Sequence, residues 1–401
     1  MKYYIKFLKF HHKAEHSFWA YNALNKGMRY FNESDYSFNR FLQEVVTVED
    51  SIVTTDGEYL VGKYYNDLNL NNIEPLDIMY YLQNNKKYSI SDEQQKLGCN
   101  EFSFETTQSF AIISFDNFTY SSYFNKSFSF MEKFESTLLH ASKTPFLSYQ
   151  YKICQNVHHF NNTKLQFNIS SENYDIGLNI IRSGGYFYPT YTSLAVISGR
   201  LGFHGKLNPM TINKKLRKDL LPINDKIVSY DVRNAEPNIF FTLAGEDFDM
   251  GDVYQHLGDV VFGDMDRDGI KKHVYYFMYD KNYVNTDLDH YLWKSNDYKR
   301  SIYNSVDKTS SIQNIFGRVL KFTEDEKQSV VNRYIQSSFS DLFQLTVNYM
   351  INRFSNLKSK ILYTIHDELA IDIDMSEMEI IESIFTEVVN LYGFNIKFSI
   401  K

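Results

Sequence analysis

The sequence predicts an α+β fold, and three observations carry that reading. The segment Lys226 to Asp231 (KIVSYD) is a strand candidate that ends on a carboxylate. Two apolar runs, Lys360 to Ile365 and Leu369 to Ile373, flank His366-Asp367-Glu368, which predicts a hairpin with acids at its tip. Helical periodicity dominates the stretch between them: a helix introduced by Asp268-Gly269 follows Arg267. A capping box, Thr323-Glu324-Asp325-Glu326, heads a long pattern to about Phe354.

The chain has 401 residues, 43% hydrophobic and 23% charged, which is ample for a packed core and predicts two or three structural units. No run approaches the roughly 18 uninterrupted apolar residues of a membrane span, and the opening MKYYIKFLKFHHK lacks the apolar centre of a signal peptide. A cytoplasmic protein with no membrane partner is expected. Cys99 and Cys154 are too few for a disulfide framework, in keeping with a reducing compartment. A net charge of -7 argues mildly against nucleic acid, yet Gly199 to Lys218 carries Arg200, Lys206, Lys214, Lys215, Arg217 and Lys218 with no acid. Such a run can be a phosphate-facing patch or an ordinary solvated face.

Residues 1 to about 180 differ in character from the rest. Phe102 to Met131 reads as short strands, with helical patches near residues 13 to 46 and 131 to 156. There is no internal repeat and no linker rich in Pro or Gly.

The candidate chemistry begins with carboxylates. An Asp at a strand end usually caps a turn, so Asp231 alone says little. Asp367 and Glu368, adjacent and between apolar strands, repel each other and resist desolvation, which a divalent cation would offset and a solvated turn would also tolerate. Arg267, Lys271, Tyr275 and Tyr279 recur every four residues, forming one slowly drifting stripe on a helix. Two cations followed by two aromatics suit a triphosphate and its nucleoside; the alternative is an amphipathic helix whose tyrosines face the core. Distant carboxylates with this helix between them fit phosphoryl transfer.

Three other motifs fail on inspection. Gly57-Glu58-Tyr59-Leu60-Val61-Gly62-Lys63 has the spacing of a phosphate-binding loop, but Tyr64 stands where a Ser or Thr is needed, and alternation around Asp56-Gly57 reads as a hairpin. Asp264 to Gly269 copies half of a calcium loop, with Tyr275 where a closing Glu is required. Cys154 and His158 supply two zinc ligands where a structural site wants four.

The three segments resemble motifs A, B and C of the DNA polymerase I family (family A DNA polymerases), which read roughly DYSQIELR, RxxxKxxxFGxxYG and HDE. Asp231 to Glu236 keeps the family's Asp and Glu spacing. Arg267, Lys271, Tyr275 and Tyr279 fall on its Arg, Lys, aromatic and Tyr, and His366-Asp367-Glu368 is identical. Ser198-Gly199-Arg200-Leu201, Asn208-Pro209 and Leu216-Arg217 resemble its primer- and template-contacting TGRLSS...PNLQN...IR segment. Phe316-Gly317-Arg318 resembles its FGRR element, and Asn332 and Gln336 match a following DNA-contacting helix. Departures are the lost Tyr-Ser-Gln of motif A, Tyr276 and Asp280 in place of glycines, Gln328 for an Arg, Gly202-Phe203 for two serines, and Tyr254 where a triphosphate-contacting His is expected.

The resemblance implies a right-hand polymerase: an antiparallel palm sheet, helical fingers, and an atypical N-terminal thumb region. The implied boundaries are residues 1–180 for the thumb or a substitute without a convincing exonuclease, 181–240 for palm with motif A, 241–330 for fingers, and 331–401 for palm with motif C. Asp231 and Asp367 would bind two Mg2+ ions, with Lys271 and Glu368 completing the catalytic set. Arg267, Lys271, Tyr275, Tyr279, Glu236 and Tyr254 would hold the deoxynucleoside triphosphate. Arg200, Asn332, Gln336, His366 and Arg318 would contact primer-template DNA. Glu236 lies at the position of the family's steric gate against ribose. That residue and Tyr275 separate this reading from single-subunit phage-type RNA polymerases, which have a small and a nonaromatic residue there. A catalytically retired fold serving as a DNA-binding replisome scaffold is the alternative from another class. A separate exonuclease or processivity subunit is a candidate partner, and the Asn, Lys, Tyr, Phe and Ile richness suits an AT-rich phage or mobile element.

Overall fold

In the computed structural model the chain divides into two units, Met1–Gln155 and Asn156–Lys401. The structure describes residues 1–8, 17–22, 24, 27–31, 37–46, 49–65, 68, 73–84, 131, 146–168, 185–203, 208–248 and 252–401. The strands expected over Phe102 to Met131 lie, Met131 apart, outside the described residues. No described helix is long and apolar enough to cross a membrane.

The first unit is built on a five-stranded sheet of β1 (Lys2–Leu8), β2 (Ser17–Asn22), β3 (Gly27–Phe31), β4 (Ser51–Thr54) and β5 (Ile73–Pro75), in the order β3-β2-β1-β4-β5. β1, β2 and β3 form an antiparallel meander, whereas β4 lies parallel to β1 and β5 parallel to β4. Parallel neighbours need crossover segments, and the helices Phe38–Glu44 and Gly57–Tyr64 fill them. Aromatic side chains make the core: the Phe38 ring meets Phe18 at 5.0 Å and Phe7 at 5.1 Å.

Two expectations are corrected here. The helical patch near 13 to 46 contains β2 and β3, and among its described residues only Phe38–Glu44 is helical; the aromatic residues of SFWAYN favour a pleated strand. The hairpin expected around Asp56-Gly57 is a strand-to-helix turn. Asp77 accepts the N–H groups of Gly57 (2.9 Å) and Glu58 (3.1 Å), so a carboxylate of the chain itself fills the helix N-terminus that a phosphate-binding loop would offer. Of the patch near 131 to 156, the described part contributes to the helix Leu147–Asn161.

The second unit centres on an antiparallel sheet of β10 (Lys226–Val232), β13 (Lys360–Ile365), β14 (Glu368–Ile373) and β15 (Phe398–Ile400), in the order β13-β14-β10-β15. Short ladders precede or follow β10: β6 (Leu165–Gln166) with β7 (Tyr186–Phe187), β8 (Tyr191–Thr192) with β9 (Gly202–Phe203), and β11 (Ser311–Gln313) with β12 (Val319–Lys321). Tyr230 of β10 packs on Phe385 of the helix Met378–Val388, ring centroids 4.4 Å apart. The helices Ala235–Ala244, Val253–Leu257, Arg267–Tyr279, Thr286–Tyr291 and Trp293–Thr309 follow β10. The capping box at Thr323 and Glu326 is present and opens a 3-10 turn, Glu324–Ser329, that runs into the mostly buried helix Val330–Phe354.

Candidate active site

Asp231 reaches its position through strand alternation. Tyr230 and Val232 are buried on one face of β10, which turns Asp231 to the other, opposite Glu368 in the β10/β14 ladder. Asp367 arrives from the hairpin between β13 and β14, whose loop is only His366-Asp367. His366 has φ 55, a left-handed conformation that a residue with a Cβ adopts at some strain. The Asp367 carbonyl accepts the Val232 N–H at 3.1 Å, fastening the hairpin tip to the end of β10.

Glu236 follows from a second left-handed residue. Asn234, φ 48, reverses the chain after β10 and starts the helix Ala235–Ala244, with Glu236 in its first turn. Tyr279 donates its hydroxyl to Glu236 at 2.5 Å, and Arg200 reaches the other carboxylate oxygen at 3.3 Å.

On the helix Arg267–Tyr279, Ile270, Val274, Phe277 and Met278 face the core. The stripe Arg267, Lys271, Tyr275, Tyr279 is therefore displaced to the rim: the cations are exposed and the tyrosines half-buried. Asp266 caps this helix, accepting the Gly269 N–H, so the calcium-loop look-alike is a helix start.

These parts enclose one cleft of about 640 Å³, lined by Arg200, Asp231, Glu236, Tyr254, Arg267, Lys271, Tyr275, His366 and Asp367, together with Asp252 and Phe339. Residues from distant segments of the chain thus converge, and the lining is mainly polar side chains of both signs. Burial, and after it the charge of Asp231, pushes the Asp367 carboxyl above its ordinary value. Two carboxylates with water and substrate oxygens are the usual protein donor set of a magnesium-type cation, and this pair fits it. Among the described residues no group of three or more His, Cys, Asp or Glu gathers as a metal cage.

Several expected residues are placed differently. Glu368 does not line the cleft; it is nearly buried in the sheet, accepting from Ser229 Oγ at 3.0 Å and Lys401 Nζ at 2.8 Å. Burial acting alone would raise its carboxyl, and these two donors hold it below the ordinary value. Tyr279 acts on the cleft through Glu236. Asn332 and Gln336 are half-buried on one face of the helix Val330–Phe354, and Phe339 on the same stripe reaches the cleft. Burial, then the Arg200 charge, lowers the His366 imidazole.

Arg318 requires a correction as a DNA contact. It is 2% exposed, and its guanidinium forks onto buried Asp341 at 2.8 and 2.7 Å, with Asn314 donating to the same carboxylate at 2.6 Å. Its charge is neutralised inside the fold. Gly199, φ +79, lies directly over this pair; a Cβ there would stand 2.7 Å from Asp341 and 2.9 Å from Arg318. The buried pair thus supports the turn that presents Arg200.

Asp252 and Lys401 are site residues that the sequence reading missed. Asp252 accepts twice from Arg267, at 2.9 and 3.0 Å, and the guanidinium sits 5.3 Å from the Tyr254 ring centroid. Burial, then the nearby Tyr275, pushes the Tyr254 phenol far up. Asp252 stands two residues before Tyr254, where an N-cap signal was readable; nothing local in sequence marks Lys401.

No family model matches the sequence, and no curated protein matches it. Among solved structures the chain is similar to the POL domain of Pol1 from M. smegmatis in complex with DNA primer-template and dNTP. The TM-score is 0.66 at 12% sequence identity, over 99% of this chain and 94% of that one. The chain shares the fold of that polymerase domain along nearly its whole length.

Proposed function

We propose that this chain is a template-directed DNA polymerase that adds deoxynucleotides to a primer 3'-hydroxyl. The observation that carries the reading is the convergence of Asp231, Asp367, Lys271, Arg267, Tyr275 and Glu236 on a single cleft. The likeness to a polymerase domain that binds primer-template and dNTP supports it at the level of fold.

In this reading Asp231 and Asp367 hold two Mg2+ ions, which when bound activate the primer hydroxyl and neutralise the triphosphate. Lys271 and Arg267 approach the phosphates from the helix side; Lys271 offers an ammonium proton to the departing pyrophosphate. Arg267 must exchange Asp252 for phosphate oxygens as the nucleotide enters, with both partners exposed enough to move. Tyr275 stacks beside the sugar. Glu236, held by Tyr279 and Arg200, fills the space that a ribose 2'-hydroxyl would need, which favours DNA over RNA synthesis. Arg200, His366, Asn332 and Gln336 contact primer-template DNA.

Residues 181–240 and 331–401, with the sheet of β10, β13, β14 and β15, serve as palm, residues 241–330 as fingers, and residues 1–180 take the place of a thumb. A phage or mobile-element origin, action in the host cytoplasm and a separate exonuclease or processivity subunit complete the proposal. Primer extension by the purified chain with Mg2+ and either deoxy- or ribonucleotides tests it. Extension with deoxynucleotides is expected; ribonucleotides used equally well would make it an RNA polymerase, and no extension with either would leave a binding fold.

A further inference from the structure

The Asp231 side of the cleft already contains a cation. β15 pairs with β10 through Tyr230↔Ile400 and Asp231↔Ser399, which brings the next residue, Lys401, to the edge of the acid pair. The Lys401 N–H donates to the Ser229 carbonyl at 3.0 Å, so its backbone is fixed. Its ammonium lies 3.2 Å from Asp231 Oδ1 and 2.8 Å from Glu368 Oε2. Asp231 and Glu368 are direct cross-strand partners, an arrangement in which like charges repel, and the ammonium between them removes that repulsion.

We propose that Lys401 is a built-in counter-ion that sets the divalent-metal affinity of the Asp231–Asp367 pair, bridging Asp231 and Glu368 without metal and bonding Glu368 alone when metal binds. The inference rests on the two-carboxylate metal reading given above. The geometry supports such a shift. Glu368, 8% exposed at its side chain and bonded to Ser229, needs a permanent partner, whereas Asp231 is 34% exposed and can exchange an ammonium for a metal. The Lys401 side chain is itself 40% exposed, leaving it room to swing and leaving no cavity on truncation.

The test is metal binding by the full chain. Mn2+ would be titrated while the free-ion electron paramagnetic resonance signal is followed, for wild type, Lys401→Met, Lys401→Arg and Asp231→Asn. Lys401→Met should bind Mn2+ roughly two- to fivefold more tightly, the equivalent of losing one exposed ion pair as competitor. Lys401→Arg, which keeps the charge, should stay near wild type. In EDTA, Lys401→Met should melt below wild type, and the gap should narrow as Mg2+ is added without closing, because Glu368 still lacks its ammonium partner. Mn2+ affinity of Lys401→Met that is unchanged or weaker, with Asp231→Asn having lost the ion, overturns the inference and leaves the metal reading standing. Asp231→Asn that binds Mn2+ like wild type overturns both.

Discussion

At the scale of single residues, the cleft is organised by hydroxyl and guanidinium donors around Glu236. Tyr279 and Arg200 hold its carboxylate from two sides, so Glu236 is fixed in place rather than free to swing. Glu236→Ala should admit ribonucleotides, reducing the preference for deoxynucleotides by roughly 10²-fold; the ratio of kcat/KM values for the two sugars measures this. Tyr275 is half-buried and lines the cleft together with Tyr254. In the proposed reading its hydroxyl would replace the bond that a dideoxynucleotide lacks, so Tyr275→Phe should raise discrimination against dideoxynucleotides about two- to tenfold while normal extension persists. Equal incorporation by both proteins would mean that Tyr275 does not face the sugar. The stripe Arg267, Lys271, Tyr275, Tyr279 was legible in sequence because helical spacing is local. Lys401 was not, since only the β10/β15 register brings it to Asp231. Asp252 was hidden because its partner Arg267 lies fifteen residues on.

At the scale of elements, the β13/β14 hairpin and the capping box before the helix Val330–Phe354 were readable for the same reason: short apolar runs, a tight turn and a cap declare themselves within a few residues. The β11/β12 hairpin was misread through its Arg318. The resemblance of Phe316-Gly317-Arg318 to the FGRR element implied a DNA contact, and only the tertiary structure reveals Asp341 beneath Arg318. Removing one partner of such a buried pair leaves an uncompensated charge. Arg318→Met or Asp341→Leu should therefore destabilise the protein by about 3 to 5 kcal/mol in urea unfolding, and the double variant should recover much of the loss. Either single variant should also weaken the turn at Gly199 that presents Arg200. Loss of primer-template affinity together with loss of stability is expected.

At the scale of the whole molecule, the second unit could be anticipated in outline, whereas the first could not. β1 pairs with β4 across a separation of 49 residues, Lys2 with Ser51, and such parallel pairing leaves no local trace. Two of the unit's described acids near the β4 end serve the backbone: Asp56 accepts the Phe7 N–H, and Asp77 accepts those of Gly57 and Glu58. β1, the middle strand, carries no carboxylate. The purified chain is expected to leave a mismatched primer 3' end intact in Mg2+, and shortening of a labelled primer would refute that expectation. The central claim is that Asp231 and Asp367 form one catalytic pair. Single-turnover nucleotide incorporation by wild type, Asp231→Asn and Asp367→Asn, with primer-template affinity measured alongside, tests it most directly. Each variant should lose at least about 10²-fold in the rate of incorporation while binding primer-template nearly as wild type does; incorporation by both variants at close to the wild-type rate would contradict it.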